Sequence, residues 1–375
     1  MSNGRSLVAV NFRDPAHPEA GGAELHLEHI LLEAVRRGWT VTWLASRFPG
    51  GPSEALHRGI RVMRRGAWWN FNLVVPGVLR RELSNPPPDW VVEDVNKAPC
   101  FTPLWLERPP GVVVPHLFGT TAFREVHPLA ALYVVALEAL IPLVYRRSRF
   151  VVISESTRDD LVRRGISADH VAVVHCGLDH DAYQETPGVT KAAHPTVLFI
   201  GRLRRYKGVD WLMRAFPSVR ARLPDARLVV IGDGPFGPEL RRAATRLGVA
   251  EAVEFRGFVS LEEKVRWLQS AWVLVQPSPK EGWGLTVVEA GACGTAVVAT
   301  DAPGLRDSVR HDVTGLLVPY GDDRRLADAL CAVLERGDLR ERLAAGGREW
   351  ARRFDWRDCA ARSLDFLLGG TGRER

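Results

Sequence analysis

Two glutamates, Glu281 and Glu289, lie eight positions apart in the stretch KEGWGLTVVEAGACG, which runs from position 280 to 294. A Gly-Trp-Gly turn and an apolar run separate them, so Glu281 is predicted in a loop and Glu289 in the helix that follows. That separation is about two helical turns, which lets both carboxylates face one side. Carboxylates accept paired hydrogen bonds from vicinal sugar hydroxyls, whereas a buried glutamate without a partner is unfavourable. We therefore expect a ligand's hydroxyls or an arginine beside Glu289; two solvent-exposed glutamates are the alternative.

Two cations flank a second candidate site in GRLRRYKG, positions 201–208. Arg202 directly follows a predicted strand, and Lys207 precedes a predicted helix. Two cations and a helix N-terminus at one sheet edge favour binding of a pyrophosphate. A solvent-exposed basic loop is the alternative. Earlier in the chain, Gly21 and Gly22 lie between a strand and a helix, where their amides could approach a phosphate or form a tight turn.

Three weaker signals lie at the ends of other predicted strands. The Gly-Asp-Gly stretch at 232–234 is equally compatible with a tight turn and with a close approach to a nucleotide. The backbone of Gly257 and Val259 could contact the edge of a base. His116 follows a predicted strand of the first half of the chain, although a lone histidine is more often structural.

The elements that carry these residues alternate between strand and helix. Strands are predicted in the first half at 7–12, 39–46, 90–95, 111–115, 149–154 and 170–175. A second alternation begins at position 196 and continues to position 300, and the tail from Asp322 is predicted to be helical. This rhythm predicts an α/β fold with two tandem, Rossmann-like, doubly wound sheets. The polar stretch 179–195 is interpreted as an interdomain linker. Ligands bind at the carboxyl ends of such strands, so we expect the site in a cleft between the two domains.

Composition sets broader limits. The chain has 375 residues, 46% hydrophobic and 25% charged, with a net charge of +6, which is typical of a soluble protein with two domains and a mild preference for anionic partners. Its basic residues are scattered, so nucleic acid is not expected. Five cysteines without a CxxC pair indicate reduced, buried thiols. The apolar segment 129–145 is too short to span a bilayer; we predict a buried helix, with contact at a membrane surface as the alternative.

These motifs together resemble the family 4 retaining glycosyltransferases, which have the GT-B fold. GGAE with Gly38 is similar to their N-terminal phosphate loop, GRLRRYKG to their donor-diphosphate motif, EGWGLTVVE to their E-x7-E signature and TGLLVPYGD (314–322) to their closing strand. The resemblance covers most of the chain. It implies an acceptor-binding domain at 1–178 and a donor-binding domain at 179–354. It also implies that a C-terminal helix at 355–370 packs back on the first domain.

The resemblance also implies a role for each candidate residue. Arg202 and Lys207 would bind the donor diphosphate, and Glu289 the ribose hydroxyls. The transferred sugar would contact Glu281 and the amides near Gly282, Gly284 and Leu285. His116 would lie against the sugar and the acceptor; the family's usual histidine or aspartate partners just after this position are replaced by Leu117 and Phe118. Gly21, Gly22, Gly257 and Val259 complete the predicted donor contacts.

The expected function is transfer of a sugar from a UDP- or GDP-linked donor to a hydroxyl of a glycan, a lipid-linked glycan or a natural product, with retention. Arg202, Lys207 and the helix N-termini could neutralise the leaving diphosphate, and no His/Asp cluster has metal-ligand spacing, so neither a metal nor another cofactor is expected. A sugar-nucleotide epimerase of the same fold and a catalytically silent nucleotide-sugar-binding protein are the alternatives. A nicotinamide dehydrogenase is disfavoured because GxGxxG is absent.

The acceptor and the location of the protein are less defined by the sequence. The segment 57–72 contains arginines beside Trp68, Trp69 and Phe71. These side chains could stack on a sugar or an aglycone, rest on an anionic membrane, or form an ordinary aromatic surface. The N-terminus lacks the apolar run of a signal peptide. We therefore expect a cytoplasmic protein, with peripheral contact at the inner face of the membrane as an additional hypothesis.

Overall fold

A computed structural model describes residues 4–96, 98–124, 127–184 and 186–369. The chain divides into two compact units, and the chain passes between them twice. Unit 1 comprises Met1–Gly177 and Trp356–Arg375, and unit 2 comprises Leu178–Asp355. Each unit contains one largely parallel sheet with helices, so the predicted α/β class with two Rossmann-like sheets is confirmed.

Unit 1 is built on an eight-stranded sheet with the strand order β3-β4-β2-β1-β5-β6-β7-β8. All neighbours are parallel except the hairpin β3–β4. The strands are β1 (Ser6–Val10), β2 (Thr40–Ala45), β3 (Glu54–His57), β4 (Ile60–Arg64), β5 (Trp90–Asp94), β6 (Gly111–Val114), β7 (Arg149–Val152) and β8 (Val171–Val173). The helices of the first segment are α1 (Gly22–Arg36), α2 (Phe71–Arg81), α3 (Pro128–Ala139), α4 (Ile141–Val144) and α5 (Glu155–Arg163).

The central strands of unit 1 are apolar because helices cover both faces of a parallel sheet. Val8 and Val10 of β1 pack with Leu44, Met63 and Phe71 in one buried cluster. All six strands predicted in this half are present, whereas the β3–β4 hairpin and α2 were not predicted. The strand order reverses between β1 and β5, so the loops that follow these two strands leave the sheet at the same edge.

Unit 2 is built on a six-stranded, fully parallel sheet with the order β11-β10-β9-β12-β13-β14. Its strands are β9 (Thr196–Ile200), β10 (Arg227–Ile231), β11 (Val253–Gly257), β12 (Val273–Gln276), β13 (Ala296–Thr300) and β14 (Leu316–Val318). Its helices are α6 (Val209–Arg222), α7 (Gly237–Arg246), α8 (Leu261–Ser270), α9 (Leu285–Ala292), α10 (Leu305–Ser308), α11 (Asp323–Glu335) and α12 (Gly337–Ala351). This order is the doubly wound pattern of a dinucleotide-binding fold, and it reverses between β9 and β12.

The last helix, α13 (Trp356–Leu367), belongs to unit 1 and packs against α1 and β7. The Trp356 ring stacks on the His29 imidazole with 4.2 Å between the ring centroids. Arg37 at the end of α1 forms an ion pair with Asp365. A stacked aromatic pair and an ion pair at opposite ends of α13 therefore fix the helix on unit 1.

The structure corrects two predictions about segments outside the sheets. The segment 129–145 is not a buried helix: it forms α3 and α4, and Leu129 and Leu143 are 73% and 70% exposed. The stretch 179–195 was interpreted as an interdomain linker, but two of its described residues pack within unit 2: Tyr183 is buried, and Lys191 Nζ donates to Ala271 O at 2.7 Å.

The cysteine prediction is confirmed, since all five cysteines lie in the described ranges, are buried and form no disulfide. None of the helices in the described ranges combines the length and the apolarity needed to cross a bilayer.

Candidate active site

The loops after β9 and β12 contact each other at the reversal of the unit 2 sheet. Gly208 ends the first loop with φ = 67°, and a Cβ at this position would lie 2.1 Å from the carbonyl oxygen of Pro277 in the second. Only glycine fits such a conformation and such a close approach. The Lys-Gly sequence therefore brings Lys207 directly beside the loop that contains Glu281.

Lys207 and Glu281 form an ion pair, with 2.6 Å between Lys207 Nζ and Glu281 Oε1. The Gln276 amide donates to the same carboxylate oxygen at 3.1 Å. Both charged side chains are mostly shielded, with 16% and 14% exposure. The sequence predicted a ligand for each of these residues, a diphosphate for Lys207 and a sugar for Glu281, and did not predict that they contact each other.

The pair holds both groups in their charged forms. Burial on its own raises the pKa of the Glu281 carboxyl, but attraction to Lys207 and hydrogen bonds outweigh it and lower that pKa below its ordinary value. Burial also opposes the charge of Lys207, yet the Glu281 carboxylate raises the pKa of the ammonium above its ordinary value. The site thus presents one cation and one carboxylate at neutral pH.

Glu289 lies in α9, 8% exposed, and has partners that the sequence did not suggest. The Tyr183 hydroxyl donates to Glu289 Oε1 at 2.7 Å. Lys264 Nζ lies 2.6 Å from Glu289 Oε2, without the alignment of a hydrogen bond, and donates to the Tyr183 hydroxyl oxygen at 2.9 Å. The arginine expected as one alternative is therefore replaced by a lysine and a tyrosine.

Local sequence gave little signal for Tyr183 or Lys264. Tyr183 is a single aromatic residue in a polar stretch that resembled a linker, and Lys264 is one cation on the amphipathic helix α8. They lie 106 and 25 positions from Glu289. Burial of Glu289 alone predicted that some partner exists, but not which residue supplies it.

The remaining predicted donor contacts lie on the same unit. Arg202 follows β9 and is half-buried. Its positive charge repels that of Lys207 and so acts to lower the pKa of the lysine. Gly282 and Gly284 precede α9; Gly284 is its N-cap with φ = 89°, and Leu285 is its first residue. Val259 is half-buried just after β11. The carbonyl of Gly257 accepts a hydrogen bond from the Gly232 amide at 2.7 Å, so part of its capacity is used within the protein.

The turn at 232–234 has a structural role that explains its glycines. The Leu203 amide donates to the Asp233 carbonyl at 2.9 Å. A Cβ on Gly232 would lie 2.0 Å from the Gly201 carbonyl oxygen. The backbone of this turn therefore packs closely against the loop that carries Arg202 and stabilises that loop.

Unit 1 holds the other predicted residues. Gly21 is the N-cap of α1 and donates its amide to Glu24 Oε2 at 2.7 Å, while Gly22 is exposed as the first helical residue. His116 is half-buried after β6, with its ring edge-on to Phe118 at 5.0 Å. The following loop is fixed by Glu138, which accepts from the Phe118 and Gly119 amides at 2.7 and 2.9 Å.

A polar cluster that the sequence did not predict lies where the unit 1 sheet reverses. Asn11, after β1, donates to Asp94 Oδ2, at the end of β5, over 2.9 Å. Asn96 donates to Glu24 Oε1 at 3.3 Å. Burial and the nearby carboxylates of Glu24 and Glu93 raise the pKa of Asp94 well above its usual range. Within the described residues, no group of three or more His, Cys, Asp or Glu could hold a metal ion.

Comparisons with known proteins agree with this architecture. The family described as Glycosyltransferase Family 4 matches residues 20–182, and the family described as Glycosyl transferases group 1 matches residues 194–336. A D-inositol 3-phosphate glycosyltransferase of Saccharomonospora viridis is 30% identical over 97% of this chain and 91% of its own length. A GDP-mannose-dependent alpha-(1-6)-phosphatidylinositol monomannoside mannosyltransferase of Mycobacterium tuberculosis is 34% identical over 52% of this chain and 54% of its own length.

Solved structures share the fold at lower identity. Sucrose-phosphate synthase from Thermosynechococcus elongatus superposes with a TM-score of 0.82 at 22% identity, covering 96% of this chain and 97% of its own. The HepE protein of Anabaena, in complex with UDP and glucose, superposes with a TM-score of 0.77 at 21% identity, covering 97% and 100%. The glycosyltransferase WaaG, involved in lipopolysaccharide biosynthesis, superposes at 0.76 and 18% identity, covering 97% and 100%.

Proposed function

The chain belongs to the family 4 glycosyltransferases, which move a sugar from a nucleotide sugar to an acceptor, and from that membership we propose a retaining, metal-independent mechanism. The observation that carries the proposal is the ion pair of Lys207 and Glu281 at the reversal of the unit 2 sheet. A cation beside the start of a helix suits a diphosphate. A carboxylate beside that cation suits the hydroxyls of the sugar attached to it.

Binding of the donor exchanges partners in this pair. The diphosphate takes over the Lys207 ammonium, with Arg202 as a second cation, and so releases Glu281 from its ion pair. The anionic Glu281 then accepts hydrogen bonds from the transferred sugar, together with the amides around Gly282, Gly284 and Leu285. Glu289, oriented by Tyr183 and Lys264, accepts hydrogen bonds from the ribose hydroxyls.

The reaction moves charge on to the diphosphate. The bond from the anomeric carbon to the phosphate oxygen breaks, and its electron pair stays on that oxygen. The acceptor hydroxyl oxygen forms the new bond on the same face, and its proton passes to the leaving phosphate oxygen. Because Lys207, Arg202 and the N-terminus of α6 are fixed in advance near the developing charge, they stabilise the transition state without a metal ion.

The donor and acceptor are proposed as classes. The donor is a sugar linked to UDP or GDP, and the acceptor is a hydroxyl of a glycan, a lipid-linked glycan or a natural product. The names of two relatives, which mention inositol phosphate, phosphatidylinositol and GDP-mannose, support polyol acceptors and GDP as one candidate nucleotide. The roles named for Gly21, Gly22, His116, Gly257 and Val259 stay predictions.

Thermal unfolding with a panel of UDP- and GDP-sugars tests the donor assignment. A ligand at a hundred times its Kd stabilises the folded protein by about 2.7 kcal/mol, which raises the Tm by roughly 5–10 °C for a domain of the size of unit 2. No shift with any donor, at saturating concentrations, would contradict the proposed site.

The stereochemistry and the metal requirement need separate measurements. With a donor that binds, NMR of the product should show the anomeric configuration of the donor, and turnover should be unchanged in excess chelator. An inverted product would overturn retention, and loss of activity in chelator would overturn metal independence. NMR of the donor incubated without an acceptor separates the epimerase, which would convert the donor to its epimer. A silent binding protein would show the thermal shift without turnover on any acceptor.

A further inference from the structure

The outer side of α3 and α4 is apolar along its whole length. Exposed fractions of 73%, 57% and 70% are found at Leu129, Leu132 and Leu143. These positions follow helical spacing and share one face with the half-exposed Tyr133. Among positions 128–145 the only charged residue is Glu138, which is buried and holds the loop after β6. A helix that faces water normally turns charged residues outward, so this face is unusual for a helix exposed to solvent.

The start of α2 extends the same surface. The Asn72 amide donates to the Tyr133 hydroxyl at 2.9 Å, which joins the two helices. Leu73, beside Asn72, is 76% exposed, and Trp68 and Trp69 in the preceding turn are 70% and 67% exposed. We call Trp68, Trp69, Leu73, Leu129, Leu132 and Leu143 the apolar surface of unit 1. A contiguous group of this kind marks an interaction site, whereas single exposed apolar residues do not.

The segments that carry the apolar surface contain arginines and few carboxylates. No aspartate or glutamate occurs from position 55 to position 81, and the only one from 127 to 154 is the buried Glu138. Arg80 and Arg81 lie seven and eight positions after Leu73 in α2, which places them on the same exposed face. Arg146 and Arg147, also exposed, follow α4 directly.

We propose that the apolar surface docks unit 1 on an anionic lipid bilayer. Its leucines enter the boundary between headgroups and acyl chains, and Trp68 and Trp69 lie at headgroup level. Arg80, Arg81, Arg146 and Arg147 contact anionic headgroups. A second copy of the chain suits this face less well, because a symmetric contact would bring the same arginines together. The docking requires neither the donor nor the transfer reaction.

Vesicle flotation of the full chain tests the proposal without any substrate. Vesicles with about one third phosphatidylglycerol in phosphatidylcholine should carry the protein at low salt, with a partition coefficient at least about tenfold above that on phosphatidylcholine alone. Raising the salt concentration should reduce binding. Absence of flotation on the anionic vesicles, or equal binding to both compositions, would overturn the proposal.

Charged substitutions identify the surface. The double variant Leu132→Glu with Leu143→Glu should lower the partition coefficient by at least about 30-fold, since two inserted leucines become anionic. The matched control adds the same two charges to exposed positions of unit 2, as Leu247→Glu with Val313→Glu, and should lower binding far less. A second variant, Leu129→Glu, changes the first turn of α3, where a carboxylate suits the helix dipole and folding is not at risk.

Two outcomes would contradict the assignment of the surface. One is flotation of the Leu132/Leu143 double variant and of Leu129→Glu equal to that of the unmodified chain. The other is a concentration-dependent dimer that the double variant abolishes, in the absence of flotation, which would make a second copy the occupant. The donor-induced rise in Tm should be the same in the double variant and the unmodified chain, so failure of the donor site and failure of the docking surface are separately visible.

Discussion

Removing one charge of the Lys207–Glu281 pair should destabilise unit 2 more than removing both. Lys207→Met leaves the Glu281 carboxylate, which is 14% exposed, with hydrogen bonds from neutral groups such as the Gln276 amide at 3.1 Å. Loss of one member of a buried pair costs about 3–5 kcal/mol. Because both side chains keep some contact with water, we expect a smaller loss than for a fully buried pair, about 2–3 kcal/mol. That corresponds to a fall in Tm of roughly 5–10 °C.

Glu281→Gln should lower the stability of unit 2 by a comparable amount, because it leaves the shielded Lys207 ammonium without its carboxylate partner. In the double variant, Lys207→Met with Glu281→Gln, no charge is left uncompensated, and the new amide can still contact Gln276. We expect it to lie within about 1 kcal/mol of the unmodified chain and to be more stable than either single variant. Its turnover should nevertheless stay at least about a hundredfold below that of the unmodified chain, because it lacks the cation that we propose for the leaving diphosphate.

Calorimetry of the full chain measures the stabilities, and the transition of unit 2 is the one that a bound donor raises. Initial rates with a donor and an acceptor measure turnover. Two results would refute the reasoning. A double variant as unstable as the sum of the two singles would mean that the pair does not form in solution. A double variant with restored turnover would mean that Lys207 does not stabilise the leaving group.

Three further predictions concern groups elsewhere in the chain. Burial and the neighbouring His29 lower the pKa of His26 from 6.5 to about 4, so the unfolded chain binds more protons than the folded chain. The free energy of unfolding, measured with urea, should therefore fall by roughly 3 kcal/mol as the pH falls from 6.5 to 4. The His26→Phe variant should lack this contribution, and a flat profile in the unmodified chain would contradict the prediction. Tyr183→Phe removes the hydrogen bond to the Glu289 carboxylate and should weaken donor binding about tenfold with little change in kcat. An unchanged Kd for the donor, measured by calorimetry, would contradict the proposal that Tyr183 positions Glu289. Gly208→Ala should lower the stability of unit 2 by more than about 2 kcal/mol, since its Cβ would meet Pro277; an unchanged Tm would contradict the close contact of the two loops.

The sheets could be predicted because each depends on local pattern. Every predicted strand is present. Buried parallel strands are short apolar runs, and turn-forming residues between these runs mark where each strand ends. The β3–β4 hairpin was missed because its strands are short, and α2 was missed because Pro76 and Gly77 within it disfavour a helix. The segment 129–145 shows a limit of another kind. Its apolar character was read correctly, but composition does not reveal whether an apolar face meets the protein core or the solvent.

The spacing of Glu281 and Glu289 acquires a physical explanation from their partners. One carboxylate lies in the loop before α9 and pairs with Lys207, and the other lies within α9 and contacts Tyr183 and Lys264. Each carboxylate is thus balanced by its own lysine before any ligand binds. In the mechanism that we propose, the donor diphosphate competes with Glu281 for Lys207, whereas Glu289 keeps its lysine and still has acceptor capacity for hydroxyls. The two glutamates should therefore differ in behaviour: substitution of Glu281 changes the charge balance around the diphosphate, and substitution of Glu289 changes chiefly the affinity for the nucleoside.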